Sequence, residues 1–243
     1  MFRTSSSPRT RPLVALRALR ALAADPDDLP KVFTVIEALP GRSPEKLLAR
    51  MRASEEGSQV LAEKPNLAAR LADREALRAL PAGSLGRAYL DLVEREGITP
   101  QGIVEASIEG GDLRDQVEED MRFMGDRMRD THDLWHVVTG YGPDLLGEAA
   151  LLCFTYAQTK HPGIAFVALL AIVKSLPNAR SVMLEGYRRG KQTAWLPGVP
   201  WEALLDQPLA DVRRRLGVES LPSYVPIRSA ELREQGALAS KAA

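Results

Sequence analysis

The chain is 243 residues long, 45% apolar and 26% charged, a composition that suits a folded domain and excludes wholesale disorder. Its 32 basic and 32 acidic side chains cancel, so it lacks the cationic excess of a general nucleic-acid binder. One cysteine, Cys153, excludes an internal disulfide framework and any multi-cysteine metal site, and three histidines leave imidazole chemistry few places to sit.

Arg3, Arg9, Arg11, Arg17 and Arg20 precede the first acid, Asp25, and Thr4 to Ser7 all carry hydroxyls. That composition fits a targeting segment, a basic helix on an anionic membrane surface, or a plain Arg-rich first helix. Val14, Leu16, Leu19 and Leu22 then recur close to one helix face. A second helix is expected from Asp28 to Leu39, stopped by Pro40 and Gly41. Ser43 reads as a cap with Pro44 at the first helical position, starting a third helix that runs to about Arg52. Helices over Leu67 to Leu80 and Ser84 to Glu96 follow, parted by Pro81-Ala82-Gly83. The turn from Gly97 to Pro100 leads into a short helix near Ile103 to Ser107. Gly110-Gly111-Asp112 then reads as the cap of a long polar helix through Arg129.

The longest uncharged apolar run, Pro162 to Val173, falls short of the roughly 20 residues that span a bilayer and reads as a buried helix. With Leu145 to Tyr156 it either packs as plain core helix or lines an apolar groove. Arg188, Arg189 and Lys191 form a basic cluster that either meets lipid headgroups or is a solvated helix end. Leu204, Leu205, Leu209, Val212 and Leu216 give a last helix its packing face, with Pro208 as its first residue and Gly217 as its stop. No stretch alternates with period two between hairpin turns, so the fold class is all-α, a single-domain multi-helix bundle. Residues 1–11 read as a flexible basic N-terminus, 12–218 as the domain, and 219–243 as a peripheral tail.

The informative segment is His132-Asp133-Leu134-Trp135-His136. Histidines four apart lie on one helix face about one turn apart, the spacing with which two imidazoles grip one metal. Gly140-Tyr141-Gly142 ends that helix, and Pro143-Asp144 begins another that carries Glu148 in its second turn. A helix hairpin would bring Glu148 back to face the pair. Asp133 lies about 100° round the helix from His132, placed to ligate or to orient a ligand. The alternative is a pair of interface histidines hydrogen-bonded to carboxylates. An acid inside the apolar stripe Leu145 to Leu152 favours the metal, because it needs a cation there. The donor set suits zinc and equally the two-His-one-carboxylate arrangement of non-haem iron. Asp133 stands where the zinc peptidase signature has its catalytic Glu, so peptide hydrolysis does not follow. His161, without a spaced partner, reads as structural or as a rim residue.

The motif, H-D-x-x-H followed by eleven residues and then E, resembles the hallmark of the coenzyme Q biosynthesis protein 4 family of ubiquinone synthesis. His132, Asp133, His136 and Glu148 occupy all four of its positions. Met51, Gly57, Leu61, Lys64 and Pro65 resemble an early block of that family, and Leu80-Pro81-Ala82-Gly83-Ser84-Leu85-Gly86 with Tyr89 resembles another. Arg127, Arg129 and Asp130, then Gly190-Lys191, and finally Trp201-Glu202, Pro208-Leu209 and Val212-Arg213 extend the similarity over about Pro12 to Val218. The spacer from Trp201 to Pro208 is longer than in eukaryotic members.

The resemblance implies an all-α protein, peripheral on membranes, that binds a divalent metal through His132, Asp133, His136 and Glu148. Zinc is the first expectation, with iron or manganese as alternatives. It further implies an oxidative C1 decarboxylation of a polyprenylated hydroxybenzoate-type ring, and a part in organising the coenzyme Q biosynthetic complex. The expected partners are a prenylated aromatic or other long-chain lipid, the other coenzyme Q biosynthesis proteins and a second copy of the chain, with no nucleic acid. The expected site is the cytoplasmic side of a bacterial inner membrane or the matrix side of a mitochondrial one. The rival expectation is a lipid-binding scaffold whose metal is structural, and a third is an unrelated metal hydrolase.

Overall fold

A computed structural model describes residues 10–110, 118–175, 177–218 and 220–236. The basic N-terminus up to Arg9, the expected cap at Gly111-Asp112 and the tail beyond Gly236 lie outside the described residues. The described residues form α-helices and short 3₁₀ turns with no strand, so the all-α expectation holds. In chain order they are α1 (Pro12–Ala24), α2 (Leu29–Ala38), α3 (Ser43–Ala53), α4 (Glu55–Glu63), α5 (Leu67–Ala72), α6 (Arg74–Ala79), α7 (Leu85–Glu96) and α8 (Pro100–Gly110). Then follow α9 (Glu119–Asp130), α10 (His132–Thr139), α11 (Leu145–Thr159), α12 (Pro162–Lys174), α13 (Pro177–Gln192), α14 (Leu209–Leu216) and α15 (Ser229–Glu234). No described helix is long and apolar enough to cross a membrane.

Helix α11 is the axis of the bundle. It is apolar on several faces and buries Leu146, Ala149, Ala150, Leu151, Cys153 and Phe154, as a helix enclosed by neighbours must. Helix α13 lies against it through Gly186 and Gly190, where an added Cβ would sit 2.4 Å from the Ala150 carbonyl oxygen and 2.6 Å from that of Phe154. On the other side α12 crosses α2 at Gly163, whose missing side chain admits the Ile36 backbone. The largest core gathers Tyr89, Leu134, Trp135, Phe154, Leu196 and Trp201 behind α10 and α11. Leu85 and Gly86 donate their N–H groups to the Gln207 and Leu205 carbonyls, which ties the start of α7 to the loop before α14.

Several local expectations need correction. On α1 the buried residues are Ala15, Ala18 and Leu22, while Val14 and Leu16 face outward, because the small alanines let α2 approach closely. Ser43 is not a cap: it is the first residue of α3, buried, and its hydroxyl donates to the Thr159 carbonyl at 2.8 Å. The stretch from Leu67 to Leu80 is two helices, broken where the Asp73 carboxylate accepts from the Ala76 N–H and so caps α6. Pro208 caps α14 from outside rather than opening it. Helix α12 is only half-buried, with Phe166, Leu169 and Val173 exposed by 49%, 54% and 64%. Arg189 is not available to headgroups: it is buried over the Tyr141 ring and donates to the carbonyls of Thr139 and Ser220.

Candidate metal centre

Helix α10 is a two-turn segment whose far face, with Leu134, Trp135 and Val138, is sunk in the main core. That anchoring leaves His132 and His136 on the side toward α11. Gly140, at φ +78°, ends α10 in the left-handed conformation that reverses the chain. Asp144 then starts α11 as its cap, its carboxylate accepting from the Leu146 and Gly147 N–H groups. The hairpin is tight enough that a Cβ on Gly147 would lie 2.1 Å from the Gly142 carbonyl oxygen. This closeness returns Glu148 to the histidines, as the hairpin argument expects.

His132, His136 and Glu148 each offer one ligand atom, and these atoms all lie within 4.8 Å of one another. The Glu148 carboxylate stands 3.2 Å from His136 Nε2 and 3.5 Å from His132 Nε2. The imidazole rings meet edge to face, with centroids 4.7 Å apart. Asp133 is the motif residue outside this convergence. Its Oδ1 lies 3.2 Å from His132 Nδ1, the position of a carboxylate that orients a metal-bound imidazole from behind.

Hydrogen bonding sets both tautomers. His136 Nδ1 lies 2.8 Å from the Tyr141 carbonyl oxygen, which can only accept, so Nδ1 carries the proton and Nε2 presents a lone pair. That Nε2 is buried and has no hydrogen-bond partner, although a carboxylate oxygen is close by. Asp133 imposes the same tautomer on His132. Two lone pairs and a carboxylate thus point at one another, an arrangement that a divalent cation resolves. The donor set fits a divalent metal. Without one, protons do the neutralising. Burial pulls the His132 pKa down, but Asp133 and Glu148 outweigh it and hold it up at about 10. Burial would raise the Glu148 pKa, and the two imidazoles overcome that and pull it well below the ordinary carboxylate value.

The cluster opens onto a cavity of about 1180 Å³ between α2, α9, α11 and α12. His132 and Glu148 form part of its wall, whereas Leu22, Phe33, Ile36, Met121, Leu152 and Val167 make much of the rest apolar. Glu148 keeps 39% side-chain exposure because it faces this space. Arg129, another cavity residue, is pinned by Asp126 and Asp130. His161 also reaches the wall, but its Nδ1 accepts from the Gly163 N–H and caps α12, which fits a structural role.

The sequence gives little sign of the arginines that brace α9 and α10. Arg127 donates to both oxygens of Glu202, at 2.8 and 2.9 Å, and to the Val199 carbonyl. Arg213 donates to the carbonyls of Val137 and Val138. Burial and the neighbouring Arg189 lower the Arg213 pKa. Only the recurrence of these arginines in the family blocks marks them in advance; their partners lie some 75 residues away.

A family model described as coenzyme Q (ubiquinone) biosynthesis protein Coq4 matches residues 6–222. The chain is 31% identical over 182 residues to the mitochondrial ubiquinone biosynthesis protein COQ4 homolog of Drosophila ananassae, covering 73% of this chain and 66% of that protein. It is 31% identical over 199 residues to the mitochondrial ubiquinone biosynthesis protein coq4 of Aspergillus terreus, covering 78% and 65%. With the Lodderomyces elongisporus COQ4 the identity is 28% over 188 residues, covering 75% of this chain and 49% of that one. The matched region thus spans about half to two thirds of the length of these curated relatives. A crystal structure from Nostoc punctiforme, of a protein named for ubiquinone biosynthesis, superposes with a TM-score of 0.64 at 24% identity, covering 86% of this chain and 96% of that one. At that identity the likeness speaks for the fold alone.

Proposed function

This chain belongs to the coenzyme Q (ubiquinone) biosynthesis protein Coq4 family, and on that premise we propose that it is a metal-dependent enzyme acting on a polyprenylated hydroxybenzoate. The proposed reaction releases the C1 carboxylate of the ring as carbon dioxide and leaves a hydroxyl at that carbon. It is a net two-electron oxidation whose acceptor and oxygen atom come from outside the chain. His132, His136 and Glu148 would hold the metal, with Asp133 orienting His132. Zinc is the first choice, with iron or manganese as alternatives. When bound, the metal supplies Lewis acidity toward the ring's oxygen substituents.

What carries this proposal is the convergence of two imidazole lone pairs and one carboxylate on the wall of a large apolar cavity. Three protein ligands favour catalysis over a purely structural metal, since structural zinc is normally closed by four. The chain's own residues divide the remaining work. The apolar wall would take the prenyl chain and exclude water, and the cluster would meet the ring. Tyr141 and Asp133 hold the imidazoles in the tautomers that leave Nε2 free.

Membrane and partner roles complete the proposal. Helix α1 packs on α12, and together they expose Leu13, Leu16, Phe166, Leu169 and Val173 beside Arg11, Arg17 and Arg20. An apolar face with a cationic border suits peripheral contact with an anionic leaflet. That would place the protein on the cytoplasmic side of a bacterial inner membrane or on the matrix side of a mitochondrial one. There it would work with other coenzyme Q biosynthesis proteins, help organise their complex, and meet a second copy of itself.

The test pairs metal analysis with product identification on a prenylated hydroxybenzoate, for the native chain and Glu148→Ala. We expect near-stoichiometric metal and the decarboxylated, hydroxylated product from the native chain, and at least about tenfold loss of both in the folded variant. Normal turnover by Glu148→Ala would overturn the catalytic assignment. A metal-free native protein after growth with zinc, iron and manganese would overturn the metal.

A further inference from the structure

The family match ends at residue 222, yet the chain after it returns to the cavity. Ile227, Arg228, Ser229, Ala230 and Leu232 form part of the cavity wall, so this strap of chain is what closes that side. Its two ends are held very differently.

The near end is pinned beside the metal hairpin by four hydrogen bonds. Tyr224 donates its hydroxyl to Asp144 Oδ2 at 2.8 Å and accepts the Gly142 N–H at 2.8 Å. Ile227 donates its N–H to Asp144 Oδ1 at 2.9 Å, and its carbonyl accepts from the Leu145 N–H at 2.8 Å. These bonds run to buried Asp144 and to the backbone of the turn, so they resist exchange with water.

The far end, which includes α15, buries no residue of that helix and is held by ion pairs. Arg233 meets Asp25 at 2.9 Å and Asp27 at 2.7 Å, both in the turn between α1 and α2; next to the hinge, Arg228 meets Glu96 at 3.2 Å. Partly exposed pairs of this kind contribute little each and are screened by salt. A firm hinge at one end and a weak electrostatic catch at the other make a door rather than a wall.

We propose that residues 223–234 are a latched gate on the cavity, hinged at Tyr224 and Ile227 and caught by Arg233 on Asp25 and Asp27, which sets how fast an apolar guest enters and leaves. The gate rests on the reading of the cavity as the seat of such a guest. Because Asp144 both anchors the hinge and caps the helix that carries Glu148, the gate is attached to the metal hairpin itself.

The test uses the full chain and cis-parinaric acid, a fluorescent long-chain fatty acid, with release followed by stopped flow into excess phosphatidylcholine vesicles. Arg233→Glu should speed release about two- to fivefold, the range that partly exposed pairs allow. Combining it with Asp25→Lys and Asp27→Lys should restore the slow rate, and salt should speed the native chain more than Arg233→Glu. The double variant Asp25→Asn with Asp27→Asn should repeat the acceleration from the other side of the latch. A probe that enters Arg233→Glu but not the native chain would also support the gate. Binding with equal rates in all variants would overturn the gate and leave the cavity reading standing. Failure of the probe to bind any variant would overturn the cavity reading and the gate with it.

Discussion

His161 is 8% exposed and accepts the Gly163 N–H at its Nδ1, which requires a neutral ring. Burial holds its pKa down at about 4, below the ordinary 6.5. As pH falls, the unfolded chain takes up this proton first. The stability carried by the neutral ring is therefore complete above about pH 6.5 and is lost as pH falls toward 4, by something on the order of 3 kcal/mol. His161→Asn keeps a capping oxygen and removes the titration. Urea midpoints at pH 7.5 and 5 should drift less in the variant than in the native chain, and equal drift would show that the ring does not titrate as argued. Arg127 is a buried cation. Its side chain is buried and chelated by Glu202, so Arg127→Met strands a carboxylate and should cost about 3–5 kcal/mol in chemical denaturation, whereas an unchanged midpoint would count against a buried pair. The convergence of His132, His136 and Glu148 was legible because a spacing of four on a helix is local geometry, and because an acid within an apolar stripe demands a partner. The hydrogen bond from His136 to Tyr141 was not legible. It depends on how the chain reverses after Gly140, which spacing alone does not encode.

At the scale of elements, glycines separate helices that touch from helices that do not. Gly186 of α13 faces the Ala150 backbone, and a Cβ there would sit 2.4 Å from its carbonyl oxygen, a contact that neither backbone can avoid without moving. Gly186→Ala should therefore destabilise by about 1–3 kcal/mol through overpacking. Gly125 stands within α9 with nothing inside 4 Å of an added Cβ, so Gly125→Ala should stabilise by about 0.5–1 kcal/mol through propensity alone. Thermal melts of the two variants should move in opposite directions; shifts of one sign would mean that α11 and α13 are not packed backbone to backbone. Helices with clear punctuation, such as α2 after Asp28 and α7 between Ser84 and Gly97, were legible within a residue or two. Helix α4 was not among the expected helices, since Glu55, Glu56, Gly57 and Ser58 give it a polar start without apolar periodicity, although Ser54 caps it through the Gly57 N–H. The buried side of α1 was misassigned because its contact is made by alanines, which hydrophobic spacing ranks below the exposed Val14 and Leu16.

Across the whole molecule, the hairpin of α10 and α11 depends on the C-terminal third of the described chain. A helix leaves its last carbonyls without internal donors, and in α10 those of Val137, Val138 and Thr139 face the interior. Arg213 of α14 serves the first two, and Arg189 of α13 serves the third. Two cations at the C-terminal end of a helix also oppose its dipole. Helix α10 is only eight residues long, so its last turn includes His136, and loosening that turn would free the imidazole from its bond to Tyr141. Arg213 is thus a positioning residue for a site it does not touch. Arg213→Ala should weaken metal binding about tenfold, the low end for a lost supporting contact, measured by competition with a chromophoric chelator well below the melting temperature. Arg213→Lys keeps the charge but not the two-carbonyl fork, so it should recover part of the affinity. Arg215→Ala removes a neighbouring exposed pair with Glu56 and should leave metal affinity unchanged. If all three variants bind metal like the native chain while Arg213→Ala merely melts earlier, the C-terminal helices stabilise the fold without setting the geometry of the site.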